Sequence, residues 1–240
     1  MKKSLPFIII ALVLIAGVIA VVVFTRKRGN EGGAGAFAPS TQQSQTTANP
    51  GSATPQSSPN VPAGLAKPNV KVSSPVVLEE YGDYQCPPCG ILHPVLKQIE
   101  HEYGDQLRVV FRHYPLTKIH KNAMMAAQAA EAARNQGKFS QMHDRLYGTQ
   151  NAWKDLPDAR PTFIGYARDL GLNSEQFTRD MDSTAVAQRI ASDMQKGSGV
   201  GVSGTPTVFI EGQMLRFEAT TPEGLRQGIN IMLQRKAAGQ

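Results

Sequence analysis

The chain has 240 residues, 41% of them hydrophobic, which is enough for one sizeable core. Its formal charge of +6 is modest, and Lys2, Lys3, Arg26, Lys27 and Arg28 supply part of it around one apolar segment, so a nucleic-acid surface is not indicated. Only two cysteines are present, Cys86 and Cys89, which excludes a structural disulfide framework and a four-cysteine zinc site.

Residues 1–28 read as a signal anchor or transmembrane segment. Leu5–Phe24 carries no charge and is rich in Ile, Val, Leu and Ala, close to the ~20 residues that cross a hydrocarbon core. The stretch exceeds the apolar length of a cleaved export signal, and Arg26-Lys27-Arg28 follow it at once, so it is expected to stay uncleaved. Basic residues nearly balance across it and leave its orientation open. Residues 29–69, mostly Gly, Ala, Ser, Thr, Gln, Asn and Pro, cannot bury enough apolar surface to offset ordering and are expected to form a disordered linker. As a flexible coil it would span roughly 35 Å.

Residues 70–240 carry the folded domain. Val76–Tyr81 reads as a strand, and after Gly82-Asp83-Tyr84-Gln85 the cysteines open a helix to about Tyr103. Leu107–Tyr114 reads as a second strand. Helical segments follow at Asn122–Gln136, Lys138–Gln150, Pro161–Leu170, Ser174–Met181 and Ala185–Lys196, a block covering about 120–196. Thr207–Ile210 then forms a strand, Glu211-Gly212 a tight turn, and Met214–Phe217 its partner. A closing helix from Pro222 to about Lys236 has Thr221 as its cap. The order is α/β.

Cys86-Pro87-Pro88-Cys89 is the chemical motif. A thiolate at a helix amino terminus meets unpaired N–H groups and the positive end of the dipole, which lowers its pKa. Cys86 is the expected nucleophile and Cys89 the resolving thiol, while Pro87 and Pro88 stiffen the first turn, where a missing N–H costs nothing. Disulfide exchange through a mixed disulfide needs no metal or organic cofactor. The competing reading makes the pair half of a zinc site with His93, but no fourth ligand stands at a usual spacing. Glu80 shares strand parity with Val76 and Leu78 and should point into the core, where a raised pKa would let it exchange a proton with Cys89; the alternative turns Glu79 inward instead. His113, His120, His143, Trp153 and the pair Met124-Met125 are expected to pack or cap, and Pro94 to shape the helix.

Glu-Tyr-Gly-Asp-Tyr-Gln-Cys-Pro-Pro-Cys at 80–89, Arg112-His113-Tyr114-Pro115-Leu116 with His120 beyond, and Gly201-Val202-Ser203-Gly204-Thr205-Pro206-Thr207 together resemble the DsbA-like thiol-disulfide oxidoreductases. The resemblance runs from about Val70 to Lys236 and implies a thioredoxin-like fold with an inserted all-helical subdomain. It further implies a cis Thr205–Pro206 bond facing the cysteines, with Thr205 offering backbone groups to an extended client; sequence alone defaults to trans. It also implies a bacterial, membrane-tethered domain outside the cytoplasm that oxidises exported proteins and is reset by a redox partner. Where the strongly oxidising members have Pro-His between the cysteines, this chain has Pro-Pro. A reductase or isomerase is therefore the alternative, and a non-catalytic client-binding module of the same fold the rival from another class.

Overall fold

The structure is a computed structural model that describes residues 65–239. The expected membrane segment, 1–28, and linker residues 29–64 lie outside them. Among the described residues no helix is long and apolar enough to cross a membrane.

The elements in chain order are β1 (Val76–Gly82), α1 (Pro87–Tyr103), β2 (Leu107–His113), α2 (Ala123–Arg134), α3 (Phe139–Gly148), α4 (Gln150–Trp153), α5 (Arg160–Asp169), α6 (Ser174–Met181), α7 (Thr184–Gly199), β3 (Thr207–Ile210), β4 (Gln213–Met214) and α8 (Pro222–Ala237). The sheet runs β2-β1-β3-β4, with β1 and β2 parallel and the remaining pairs antiparallel. A parallel pair needs a long crossover, and α1 supplies it.

Parity along β1 decides what faces what. Val76 and Leu78 enter one core with Val208 and Ile210 of β3, Leu92, Leu96 and Ile99 of α1, and Leu225, Ile229 and Leu233 of α8. The α8 residues recur at four-residue spacing, one stripe of an amphipathic helix, and truncating any of them to Ala costs about 2–5 kcal/mol. Tyr81 faces the other way, onto Phe209 and Val202.

The block α2–α7 has its own core, with Trp153, Phe163, Phe177 and Met181 fully buried around α2. The alanines of α2 let neighbouring helices approach closely, and all seven of them are buried. Two carboxylates fasten the block to β2. Glu131 on α2 accepts from His113 Nε2 at 2.7 Å and from Arg134 and Arg189. Asp193 on α7 accepts from the His113 N–H and pairs with Arg112, which also holds Glu79.

Three expectations shift. The partner of β3 is only Gln213–Met214, because Phe217–Ala219 curls into a single 3-10 turn and carries the chain off the sheet edge. The segment expected to be helical through Gln150 stops at Gly148, where Thr149 turns its hydroxyl and N–H back onto the Arg145 carbonyl. Ordered contacts also begin before Val70: Asn230 Nδ2 donates to the carbonyls of Leu65 and Ala66, and Lys67 Nζ donates to that of Tyr103. The hairpin turn is as expected, with Glu211 and Gly212 both at positive φ (49° and 74°), the backbone of a two-residue turn between twisted strands.

Candidate active site

Cys86 is the N-cap of α1, with extended backbone (φ −71°, ψ 119°), and Pro87 and Pro88 occupy the first helical positions, both exposed. Cys89 lies one turn on and is fully buried, while Cys86 keeps 5% of its surface open; both are free thiols. In its thiol form Cys86 Sγ donates to the Thr205 carbonyl at 3.3 Å, across a turn whose Thr205–Pro206 bond is cis. Pro206 itself is buried.

Hydrogen bonds decide the chemistry of the two sulfurs. Donation from the Cys89 thiol is the largest influence on Cys86. With further hydrogen bonds from Thr205 and the Cys89 backbone, it outweighs burial and the Asp83 charge and brings the Cys86 thiol down to about 6. Cys89 moves well above its ordinary value, through burial first, then its donation to Cys86 and the nearby Glu80 and Cys86 charges. One sulfur is thus a thiolate at neutral pH and the other a thiol.

Glu80 points inward, in line with Val76 and Leu78, and is 2% exposed. It pairs in register with Phe111 on one side and Val208 on the other. Its Oε1 is buried without a hydrogen-bond partner. Burial, reinforced by the Cys86 charge, pushes its carboxyl up to about 8, so it holds a proton at pH 7. It lines a cavity of about 290 Å³ that also reaches His93, Phe111, His143 and Asp144.

Several residues that fix this geometry have no assigned part in the sequence reading. Asp83 Oδ1 accepts from the Gln85 N–H at 2.7 Å, and Oδ2 accepts from the Leu116 N–H and His120 Nδ1 at 2.9 and 2.7 Å. Gln85 reaches into the helical block, accepting from the Asn122 N–H and donating to the Lys154 carbonyl. Gln150 Nε2 donates to the carbonyls of Tyr84 and Cys86 at 2.7 and 2.9 Å. Gly90 makes room for it, since a Cβ there would meet Gln150 Oε1 at 2.9 Å. Asp83 and Gln85 lie inside the recognised decapeptide, a usable signal, whereas Gln150 stands sixty-four residues beyond Cys86 and carries none.

The remaining candidates separate. Trp153 is core, donating from Nε1 to the Leu146 carbonyl. His93 packs on Tyr147 and close to His143 and Asp144 instead of completing a set with the cysteines. His143 sits in an aromatic cluster with Tyr84, Phe111 and Phe139, and burial holds its imidazole well below the usual range.

A paired thiol at the N-terminus of the helix that follows the central strand, above a buried carboxyl and opposite a proline turn, places the molecule in the thioredoxin-like class. Comparison with known proteins agrees: the family model Thioredoxin_4, described as thioredoxin, matches residues 71–230, and the chain belongs to that family. A thioredoxin-like oxidoreductase from Silicibacter pomeroyi DSS-3 superposes with a TM-score of 0.54 at 27% identity, over 75% of this chain and 99% of that one. The oxidoreductase DsbA from Xylella fastidiosa shares the fold, with a TM-score of 0.58 at 16% identity over 72% and 92% of the two chains. A curated relative, Na(+)/H(+) antiporter NhaA 1 of Salinispora arenicola, is 40% identical over 141 residues, 58% of this chain. The chain spans about a fifth of that protein's length (21%), so the antiporter's name describes a larger molecule.

Proposed function

We propose that the domain is a thiol-disulfide oxidoreductase that passes the Cys86–Cys89 disulfide to exported proteins from a membrane-tethered position outside the cytoplasm. The observation that carries this reading is the Cys86 sulfur, held down to about 6 at the N-cap of α1, beside the Thr205 carbonyl and within reach of solvent. The tether rests on the apolar, uncharged run Leu5–Phe24 and the linker after it.

A client thiolate attacks Sγ of Cys86 in the disulfide form, making a client–Cys86 bond and expelling Cys89 as a thiolate. Glu80, protonated at neutral pH, supplies the proton that Cys89 takes up. A second client thiolate then attacks the client sulfur of the mixed disulfide and expels the Cys86 thiolate, which is stable as such. Two electrons have moved from client to enzyme, and a separate redox partner removes them. Thr205 and the exposed Pro87 and Pro88 flank the sulfur where the client chain lies.

The test is the Cys86–Cys89 reduction potential, set by equilibration in glutathione buffers with thiol trapping. A Cys86 pKa near 6 lies between the ~3.5 of DsbA and the ~7 of thioredoxin, so the potential belongs between their ~ −120 and ~ −270 mV. A value above about −200 mV, with client oxidation lost in Cys86→Ser, supports the oxidase. A value at about −270 mV reverses the direction and leaves a reductase.

A further inference from the structure

We propose that His93, His143 and Asp144 form a binding site for a divalent transition-metal ion of the zinc type, joining α1 to α3. The site uses neither cysteine, although it opens onto the cavity that Glu80 also lines.

Each of the three side chains offers one ligand atom, and all three atoms lie within 4.8 Å of one another. Two imidazoles and one carboxylate make a donor set suited to zinc, cobalt, nickel or copper, with a fourth position open to water. The nearest two atoms already stand at a coordination distance. Ligands ~2.0 Å from a tetrahedral ion are ~3.3 Å apart, and His93 Nε2 lies 3.2 Å from Asp144 Oδ1. The two groups form an ion pair when His93 is protonated, and a metal ion would take the place of that proton between them; Asp144 Oδ1 is otherwise without a hydrogen-bond partner. Its other oxygen, Oδ2, is taken by Lys97 at 3.5 Å.

The rings are held in place. His143 Nδ1 is bonded to the Tyr84 hydroxyl at 2.8 Å, which leaves Nε2 as the ligating nitrogen, the outer-shell arrangement that orients metal-bound histidines. Phe139 stacks on His143 at 5.5 Å between centroids, and Tyr147 stacks on His93 at 5.0 Å. The open position gives onto the cavity of about 290 Å³, far larger than the ~30 Å³ share of one water. Lys97, Arg108 and Arg134 line that cavity too and oppose a dication, which weakens its binding.

The experiment uses the full chain, untagged, in detergent, with the Cys86–Cys89 disulfide formed so that no thiolate competes. Zinc is titrated calorimetrically, and cobalt is titrated by its visible d–d absorption. The expected result is one ion per chain and a four-coordinate cobalt spectrum without thiolate charge transfer. Asp144→Asn, at a half-exposed side chain that leaves the fold intact, should weaken binding at least about 100-fold, and His143→Gln likewise. Stoichiometric binding weaker than ~100 µM, or variants within about threefold of wild type, would overturn the proposal.

Discussion

Replacing Glu80 with glutamine removes an ionisation that the fold resists, and the sign of the effect follows from the direction of the shift. The carboxyl titrates at 4.5 in the open chain and at about 8 in the folded, reduced protein, with burial as the main cause. A raised folded-state value means that its contribution is fully present below 4.5 and is lost as pH rises toward 8, because the unfolded chain gives up the proton first. At ~1.4 kcal/mol per pH unit, the loss is about 3 kcal/mol at pH 7 and about 5 kcal/mol above pH 8. A glutamine has no proton to lose and stays neutral at every pH, with two amide N–H donors in place of the acid's single O–H. Glu80→Gln should therefore match wild type at pH 4 and be more stable by about 3 kcal/mol at pH 7, a rise in Tm of about 6–12 °C for a domain of this size. The assay is thermal and urea unfolding of the reduced protein at pH 4, 7 and 9. The oxidised form should show a smaller gap, since it lacks the Cys86 charge. A variant that melts at or below wild type at pH 7, with the same difference at pH 4, would refute the buried-acid argument. The same variant should oxidise clients at least about tenfold more slowly, because Cys89 loses its proton source.

Titration of the reduced protein by ultraviolet thiolate absorbance should give one step near 6 from Cys86, and Cys89→Ala should move it upward, since donation by the Cys89 thiol is the largest lowering influence. Gln150→Ala strands the buried carbonyl of Tyr84, leaves that of Cys86 with the Gly90 N–H alone, and should cost about 1–3 kcal/mol in urea unfolding; Gly90→Ala should act in the same direction by displacing the Gln150 side chain. Glu131 is held down to about 2 by its partners His113, Arg134 and Arg189 against the opposing effect of burial, so its stabilisation is present above 4.5 and lost as pH falls through 2. Glu131→Ala should cost about 3–5 kcal/mol at pH 7 and much less near pH 2, read from acid unfolding curves.

Much of this arrangement is written in local signals. Cys86 and Cys89 announce themselves by spacing, and period-two parity along β1 is enough to turn Glu80 inward, because Val76 and Leu78 must be buried. Ser174–Met181 and Thr207–Ile210 have the ends that their caps and apolar pattern dictate. Local signals end where a long-range partner decides. The shortness of β4 depends on a 3-10 turn that the apolar pattern of Met214–Phe217 does not reveal. Gln150 looks like an ordinary polar residue until the fold brings main-chain groups from elsewhere in the chain to it. His93 has the same character: beside Cys89 in sequence it suggests one ligand set, and in space it faces the side chains of α3.

The placement of the thiols shows why the helical block matters to the cysteine pair as much as the sheet does. Cys86 and Cys89 pack into the core of the block, with Ala126, Trp153 and Phe163, and not into the core shared by the sheet, α1 and α8. The sheet contributes Glu80 and the start of α1. The block contributes Gln150, which holds the carbonyl of Cys86 itself, and the Asn122 and Lys154 backbone groups that fix Gln85 one residue earlier. The distances that lower the Cys86 pKa are therefore set from both sides of the junction. Loosening α4 against α1 should change the reactivity of Cys86 before it changes the sheet, because no strand hydrogen bond passes through the contacts that would be lost.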